Sequence, residues 1–129
     1  MIVLRLRGLP RLFPFMFLSG WLWIVACGDS QPGEVDVFLV SPNGPESAAI
    51  VELDGVFDRV SAPPSAVAFS EIVDGRTRVA IMMRTHGEVW FSVLVPNVSD
   101  PPPGRVLEVA GPTNAIRANV EDYGLQFGR

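Results

Sequence analysis

Ala66-Val67-Ala68-Phe69-Ser70-Glu71-Ile72-Val73-Asp74-Gly75-Arg76-Thr77-Arg78-Val79-Ala80-Ile81-Met82-Met83-Arg84 decides the fold class. From Ala66 to Val73 the pattern has a period of two, with Val67 and Phe69 across from Ala68 and Ser70. That is the period of a β-strand. Asp74-Gly75 follows, and both positions tolerate positive φ, which a tight type I′ hairpin turn requires. Arg78–Arg84 is then the returning strand. Two strands about a two-residue turn define an antiparallel hairpin, and the rest of the chain repeats that grammar.

Downstream, Thr85-His86-Gly87 reads as a further turn leading into Glu88–Val95. The runs Val-Ala-Ile-Met-Met and Val-Trp-Phe-Ser-Val-Leu-Val are apolar on both faces, which predicts a central pair of strands covered on both sides. Pro96–Gly104 holds Pro101-Pro102-Pro103, a stiff extended crossover. Arg105–Ala110 is a strand. Gly111-Pro112-Thr113-Asn114 is a turn that could open one helical turn, Ile116–Val120 is ambiguous, and Tyr123–Phe127 is a closing strand. Upstream, Glu34–Val40 sets Val35, Val37 and Leu39 against Glu34 and Asp36, as in a half-buried strand. Ser41-Pro42-Asn43-Gly44-Pro45 is a loop. Ala48–Leu53 is a second strand, with Asp54-Gly55 predicting a hairpin into Val56–Val60. Ser61-Ala62-Pro63-Pro64-Ser65 interrupts the pattern. No stretch sustains a 3.6-residue apolar period, so helix content is expected to be low. About 7–9 short strands with Pro/Gly-rich corners predict an all-β fold, an antiparallel β-sandwich over residues 34–129, with an open barrel as the alternative.

The first 26 residues differ in kind. Arg5, Arg7 and Arg11 precede an apolar run from Leu12 to Ala26, interrupted by Pro14, Ser19 and Gly20. A basic start before about 7–15 apolar residues is the build of a secretory signal. A permanent spanning helix needs roughly 20 apolar residues, and Pro14 and Gly20 weaken the run as a helix. The run ends in Ile24-Val25-Ala26-Cys27, which resembles the lipobox of bacterial lipoproteins, with Ile where Leu is commoner. The resemblance implies cleavage after Ala26, a thioether-linked diacylglycerol on Cys27, and acylation of the new amino terminus. Two or more acyl chains suffice for stable membrane anchoring. Residues 27–33 are then a lipidated Cys and a short polar tether, Gly28 to Gly33, reaching at most roughly 20–25 Å. On this reading the protein is extracytoplasmic and held on the cell membrane or outer membrane.

Removing residues 1–26 leaves 103 of the 129 residues, one domain's worth. Cys27 is the only cysteine, so that domain must stand on packing without a disulfide. It carries 7 arginines against 14 carboxylates, a net charge of −7, whereas the whole chain carries −4. Such a domain is repelled by phosphate backbones and anionic headgroups, which argues against nucleic-acid partners.

Catalytic and metal chemistry find little support. His86 is the sole histidine. A triad with Ser92 or Ser70 can be drawn, but no Gly-x-Ser-x-Gly elbow is present. One His and one lipidated Cys cannot build a zinc site. Asp54 with Asp58, Glu34 with Asp36, and Glu121 with Asp122 lack the spacing of a calcium loop and read as solvated faces or turn formers. No phosphate-binding loop or dinucleotide fingerprint occurs, and a sandwich of this size has little room for a glycosidase cleft. Met82-Met83 reads as core filling, and the Asn97-Val98-Ser99 sequon as chance in a bacterial protein. No catalytic residue, metal or cofactor is assigned. Trp90 and Tyr123 are the candidate ligand platform, since an exposed ring on a sheet face can seat a sugar or peptide; Trp90, beside Phe91 in an apolar strand, reads more readily as core.

Pro-Asn-Gly-Pro-Glu-Ser-Ala-Ala, Asp-Gly-Arg-Thr-Arg, and Thr-Asn-Ala-Ile-Arg-Ala with Tyr123 are similar to segments of small uncharacterised β domains, some of them like cohesin-type sandwiches. Over residues 35–127 that resemblance implies a module that binds partner proteins and catalyses nothing, with no site residue carried over. The expected function is therefore a membrane-anchored, non-catalytic binding or structural module. Its partners would be membrane lipid through Cys27 and an envelope protein, met through a sheet edge or through the loops 42–45 and 96–104. The alternative is a carbohydrate- or small-ligand-binding sandwich using Trp90 or Tyr123.

Overall fold

A computed structural model describes residues 30–128. The lipobox positions Ala26 and Cys27 lie outside the described residues. Eight strands form: β1 Gly33–Val40, β2 Glu46–Asp54, β3 Val60–Ser61, β4 Ala66–Val73, β5 Arg76–Gly87, β6 Trp90–Val95, β7 Gly104–Ala110 and β8 Gly124–Gly128. They make two four-stranded sheets, sheet I in the order β3-β6-β1-β8 and sheet II in the order β4-β5-β2-β7. All ladders between these strands are antiparallel, and no helix occurs among the described residues. The protein is an all-β sandwich, as the period-two pattern predicts.

Alternation positions the core. Val35, Val37 and Leu39 of β1 and Phe91, Val93 and Val95 of β6 point inward from sheet I. Ala49, Val51 and Leu53 of β2, Val79 and Ile81 of β5, and Val109 of β7 meet them from sheet II. The intervening residues of each strand face outward, so each sheet presents a full outer face to solvent.

The Asp74-Gly75 hairpin forms as read. Asp74 and Gly75 have φ of 51° and 75°, and Val73 pairs with Arg76 across the turn. Asp54-Gly55, chemically the same dipeptide, does not make a hairpin. Gly55 has φ of 114°, and the chain leaves sheet II there to enter sheet I at β3. A buried threonine is the cause: Thr77 Oγ1 donates to the Gly55 carbonyl at 2.8 Å and accepts from Phe57 N at 2.9 Å. The Phe57 ring folds back over Gly55 into the core, so Val56–Val60 yields only the two-residue strand β3.

Thr85-His86-Gly87 is not a turn either. β5 continues through it, and Gly87 pairs with Glu46. The expected central pair is also corrected: β5 lies between β4 and β2 in sheet II, whereas β6 lies between β3 and β1 in sheet I. Both are interior strands, but they are not partners, and each is covered on one face only. Similar burial of apolar side chains makes the two arrangements alike in sequence. Two residues of the expected tether join the sandwich: Val98 N donates to the Gln31 carbonyl at 2.9 Å, and Gly33 is the first residue of β1. The segment after β7 opens no helical turn. Asn114 adopts φ of 62°, and Ile116 bridges back to Ala110.

Candidate functional site

The outer face of sheet II is the most developed surface of the molecule. Its rows follow from register. Phe69, Ala80, Ile50 and Glu108 lie side by side across the sheet, next to the row Val67, Met82, Ala48 and Ala110. Small Ala80 and Ala48 between larger neighbours leave shallow depressions. One, of about 190 Å³, is lined by Ala48, Ile50, Ala80, Met82, Glu108 and Ile116; the other, of about 220 Å³, lies between Phe69 and Ile50. Phe69 and Ile116 are each 61 % exposed and Met82 49 %. A contiguous apolar strip on a sheet face is uncommon for a surface without a partner.

One end of this face carries a network of three arginines and three carboxylates. Glu52 of β2 pairs with Arg78 of β5 and Arg105 of β7. Arg105 Nη2 and Nε donate to Glu52 Oε1 at 2.8 and 3.1 Å, and Arg78 Nη2 donates to Oε2 at 3.2 Å. Arg76 Nη1 stands 3.6 Å from the same carboxylate. Glu52 is 4 % exposed while Arg105 is 63 % exposed, so the guanidinium groups, not the carboxylate, meet solvent. Hydrogen bonding from Arg105 outweighs burial and, with Arg78 and the nearby charges, holds the Glu52 carboxyl below its ordinary value. Asp54 and Glu71 balance the rim through Arg76 and Arg78.

A second polar group sits at the opposite end of β2. Glu46 is 1 % exposed. Its Oε1 accepts from Tyr123 Oη and from Ser41 Oγ, both at 2.7 Å, and Arg117 Nη2 approaches Oε2 at 3.1 Å. Asn43 Nδ2 donates to Tyr123 Oη at 2.8 Å. Burial pushes the Glu46 carboxyl up, but the hydrogen bonds from Tyr123, Ser41 and Arg117 prevail and leave it below the ordinary value. Its bond to Glu46 raises Arg117 in turn. A covered carboxylate held ionised by three donors has no proton to give near neutral pH. Its chemistry is that of a clamp between the 41–45 loop and residues 117–123. An open cleft of about 280 Å³ beside it is lined by Ser41, Gly44, Pro45, Gly87 and Glu88.

Trp90 lies on the outer face of sheet I, correcting its reading as core; Phe91 takes the core position. The Trp90 ring stacks on Phe38, its cross-strand neighbour, at 5.8 Å between centroids and 27° between planes. Gln126 stands beside Phe38 and, with Val40 and Glu88, borders a depression of about 400 Å³. Tyr123 is not on that face: its hydroxyl is committed to Glu46 and Asn43. Phe69 is exposed on the outer face of sheet II.

The remaining sequence candidates are scattered. His86 is exposed near the end of β5, and Ser92 Oγ donates to Asp36 Oδ1 at 2.7 Å on sheet I. No group of three or more His, Cys, Asp or Glu side chains fit to hold a metal ion occurs among the described residues. Sequence reasoning missed Glu46, Glu52 and the arginines around them. A glutamate at an outward position flanked by arginines on the paired strands signals the Glu52 group, but only once the register is known. Comparison with family models, curated proteins and solved structures returned no match.

Proposed function

We propose that the chain is a bacterial lipoprotein whose β-sandwich is a non-catalytic protein-binding module at the cell envelope. The anchoring half of this reading rests on Arg5, Arg7 and Arg11, the apolar run after them, and Ile24-Val25-Ala26-Cys27. Lipid on Cys27 would hold the domain a few residues from the surface of the cell membrane or outer membrane, on its extracytoplasmic side. The binding half is carried by the apolar strip Phe69-Ala80-Ile50-Met82 with exposed guanidinium groups at one end. An apolar strip rimmed by charge is the usual anatomy of a protein contact, and a partner with an apolar centre and a rim of both charges complements it. The test is capture of envelope proteins on the full chain against Phe69→Asp and Arg105→Glu variants. An envelope protein retained by the parent and lost from both variants supports the reading. Identical retention on all three removes the face as the binding site.

A second reading, carbohydrate binding, is favoured by the Trp90–Phe38 ring pair on sheet I. The processed chain would keep Trp90 as its only tryptophan. Its emission should then shift on adding an envelope polysaccharide, and emission unmoved by a panel of polysaccharides removes this reading.

A further inference from the structure

The chain enters the sandwich at one pole. Val98 N donates to the Gln31 carbonyl at 2.9 Å, Pro32 is exposed, and Gly33 pairs with Val95. From there β1 runs eight residues, about 25 Å, to Val40 at the opposite pole. Register sorts the loops between the two. Asp54 pairs with Arg76, Leu53 pairs with Gly104, and Asp54 N donates to the Pro103 carbonyl. Residues 54–59, the Asp74-Gly75 turn and the 96–103 loop therefore share the entry pole. The 41–45 loop and residues 88–89 and 111–123 lie at the far pole.

The entry pole is partly apolar. A depression of about 350 Å³ is lined by Pro32, Val56, Leu94 and Pro96, together with Asp58 and Arg59. Val56 is 57 % exposed and Leu94 37 %. Asp54, Asp58, Asp74 and Asp100 share this pole with Arg59, Arg76 and Arg105, so charge does not draw it to anionic headgroups.

Chain length says what this pole meets. Four peptide steps separate Cys27 from Gln31, so a lipidated Cys27 would lie within about 14 Å of Gln31. Val40 and the far pole stand beyond that reach. Lying flat on sheet I would press carboxylates into the headgroups. Asp36, paired with Ser92, stands between Leu94 and the Trp90–Phe38 pair, and Glu34 lies beside Leu94. Burying such charges is costly. Sheet II lies about 10 Å farther from the tether, with its outer side chains farther still. The remaining posture is end-on.

We infer that the entry pole is a lipid-contact surface: the anchored domain stands with its strands rising from the bilayer and with Val56 and Leu94 in the headgroup region. This posture rests on the lipidation of Cys27 proposed above and adds to it the surface that meets lipid. Apolar side chains at an interface add to what the acyl chains supply. The 96–103 loop then faces lipid, while the 41–45 loop and the apolar strip of sheet II stay open to a protein partner.

Tryptophan emission in brominated vesicles tests the posture, because bromine on the upper acyl chain quenches a ring that touches it. The processed full chain is reconstituted into phosphatidylcholine vesicles with and without bromine, and flotation is recorded. Trp90 should emit equally in both. In the Trp90→Phe background, Val56→Trp and Leu94→Trp should each lose most of their emission in brominated vesicles. Ile116→Trp, as exposed but at the far end of sheet II, should lose none. Quenching of Trp90 or of Ile116→Trp, or unchanged emission from Val56→Trp or Leu94→Trp, overturns the posture while leaving the anchor intact. A chain that does not float with the vesicles contradicts the anchoring reading, and the posture falls with it.

Discussion

Tyr123 Oη donates a 2.7 Å hydrogen bond to Glu46 Oε1, joining residues 77 apart in sequence. The bond fastens the segment before β8 to the first residue of β2, and it is one of three donors that keep a buried carboxylate charged. Tyr123→Phe removes the donor and leaves the ring. Destabilisation of about 1–3 kcal/mol is expected, the cost of leaving a buried acceptor short of a partner. Urea unfolding followed by circular dichroism checks it, and an unchanged midpoint would show that water replaces the phenol.

Acid should expose both clamps. Glu46 and Glu52 have folded-state values below the ordinary carboxylate value. The stability they contribute is therefore complete above the unfolded-state value, near pH 4.3, and is lost as pH falls through the lower folded-state values. Glu46→Gln should flatten the fall in unfolding midpoint between about pH 5 and pH 3. The share owed to Glu52, whose arginines are exposed, should shrink in high salt, while that of Glu46 should not.

Two neighbouring aromatics should behave differently. Phe91 is 1 % exposed in the core, whereas Trp90 points outward onto Phe38. Phe91→Ala should cost about 3–5 kcal/mol. Trp90→Ala gives up the ring pair, about 0.5–1.5 kcal/mol beyond its buried area. Equal losses at the two positions would contradict the assignment of faces.

The two Asp-Gly pairs should separate as well. A Cβ at Gly75 meets nothing within 4 Å, so Gly75→Ala carries only the strain of positive φ, about 1–2 kcal/mol. A Cβ at Gly55 would stand 3.0 Å from the Phe57 ring at a φ of 114°. Gly55→Ala should therefore be the more damaging, at about 2–3 kcal/mol. Thermal unfolding of the two variants side by side checks the order.

That contrast also shows where sequence stops being legible. β4 and the Asp74-Gly75 turn could be read because alternation and positive φ are local properties. Asp54-Gly55 has the same chemistry, but its course is set by the hydroxyl of Thr77, 22 residues away. β5 and β6 were recognisable as apolar strands, yet nothing local says that they belong to different sheets. The polar clamps were less visible still: Glu46 meets Arg117 and Tyr123 from 71 and 77 residues away. Trp90 and Phe91 differ by one position in a run apolar throughout, so only register separates the face from the core.

The most direct test of the anchored module is the mass of its first residue. The protein is extracted from the membrane with detergent, and the intact chain and its amino-terminal peptide are measured by mass spectrometry. A chain beginning at Cys27 and carrying a thioether-linked diacylglycerol is the predicted result. A chain that retains Met1–Ala26, or one with a free Cys27 thiol, contradicts it.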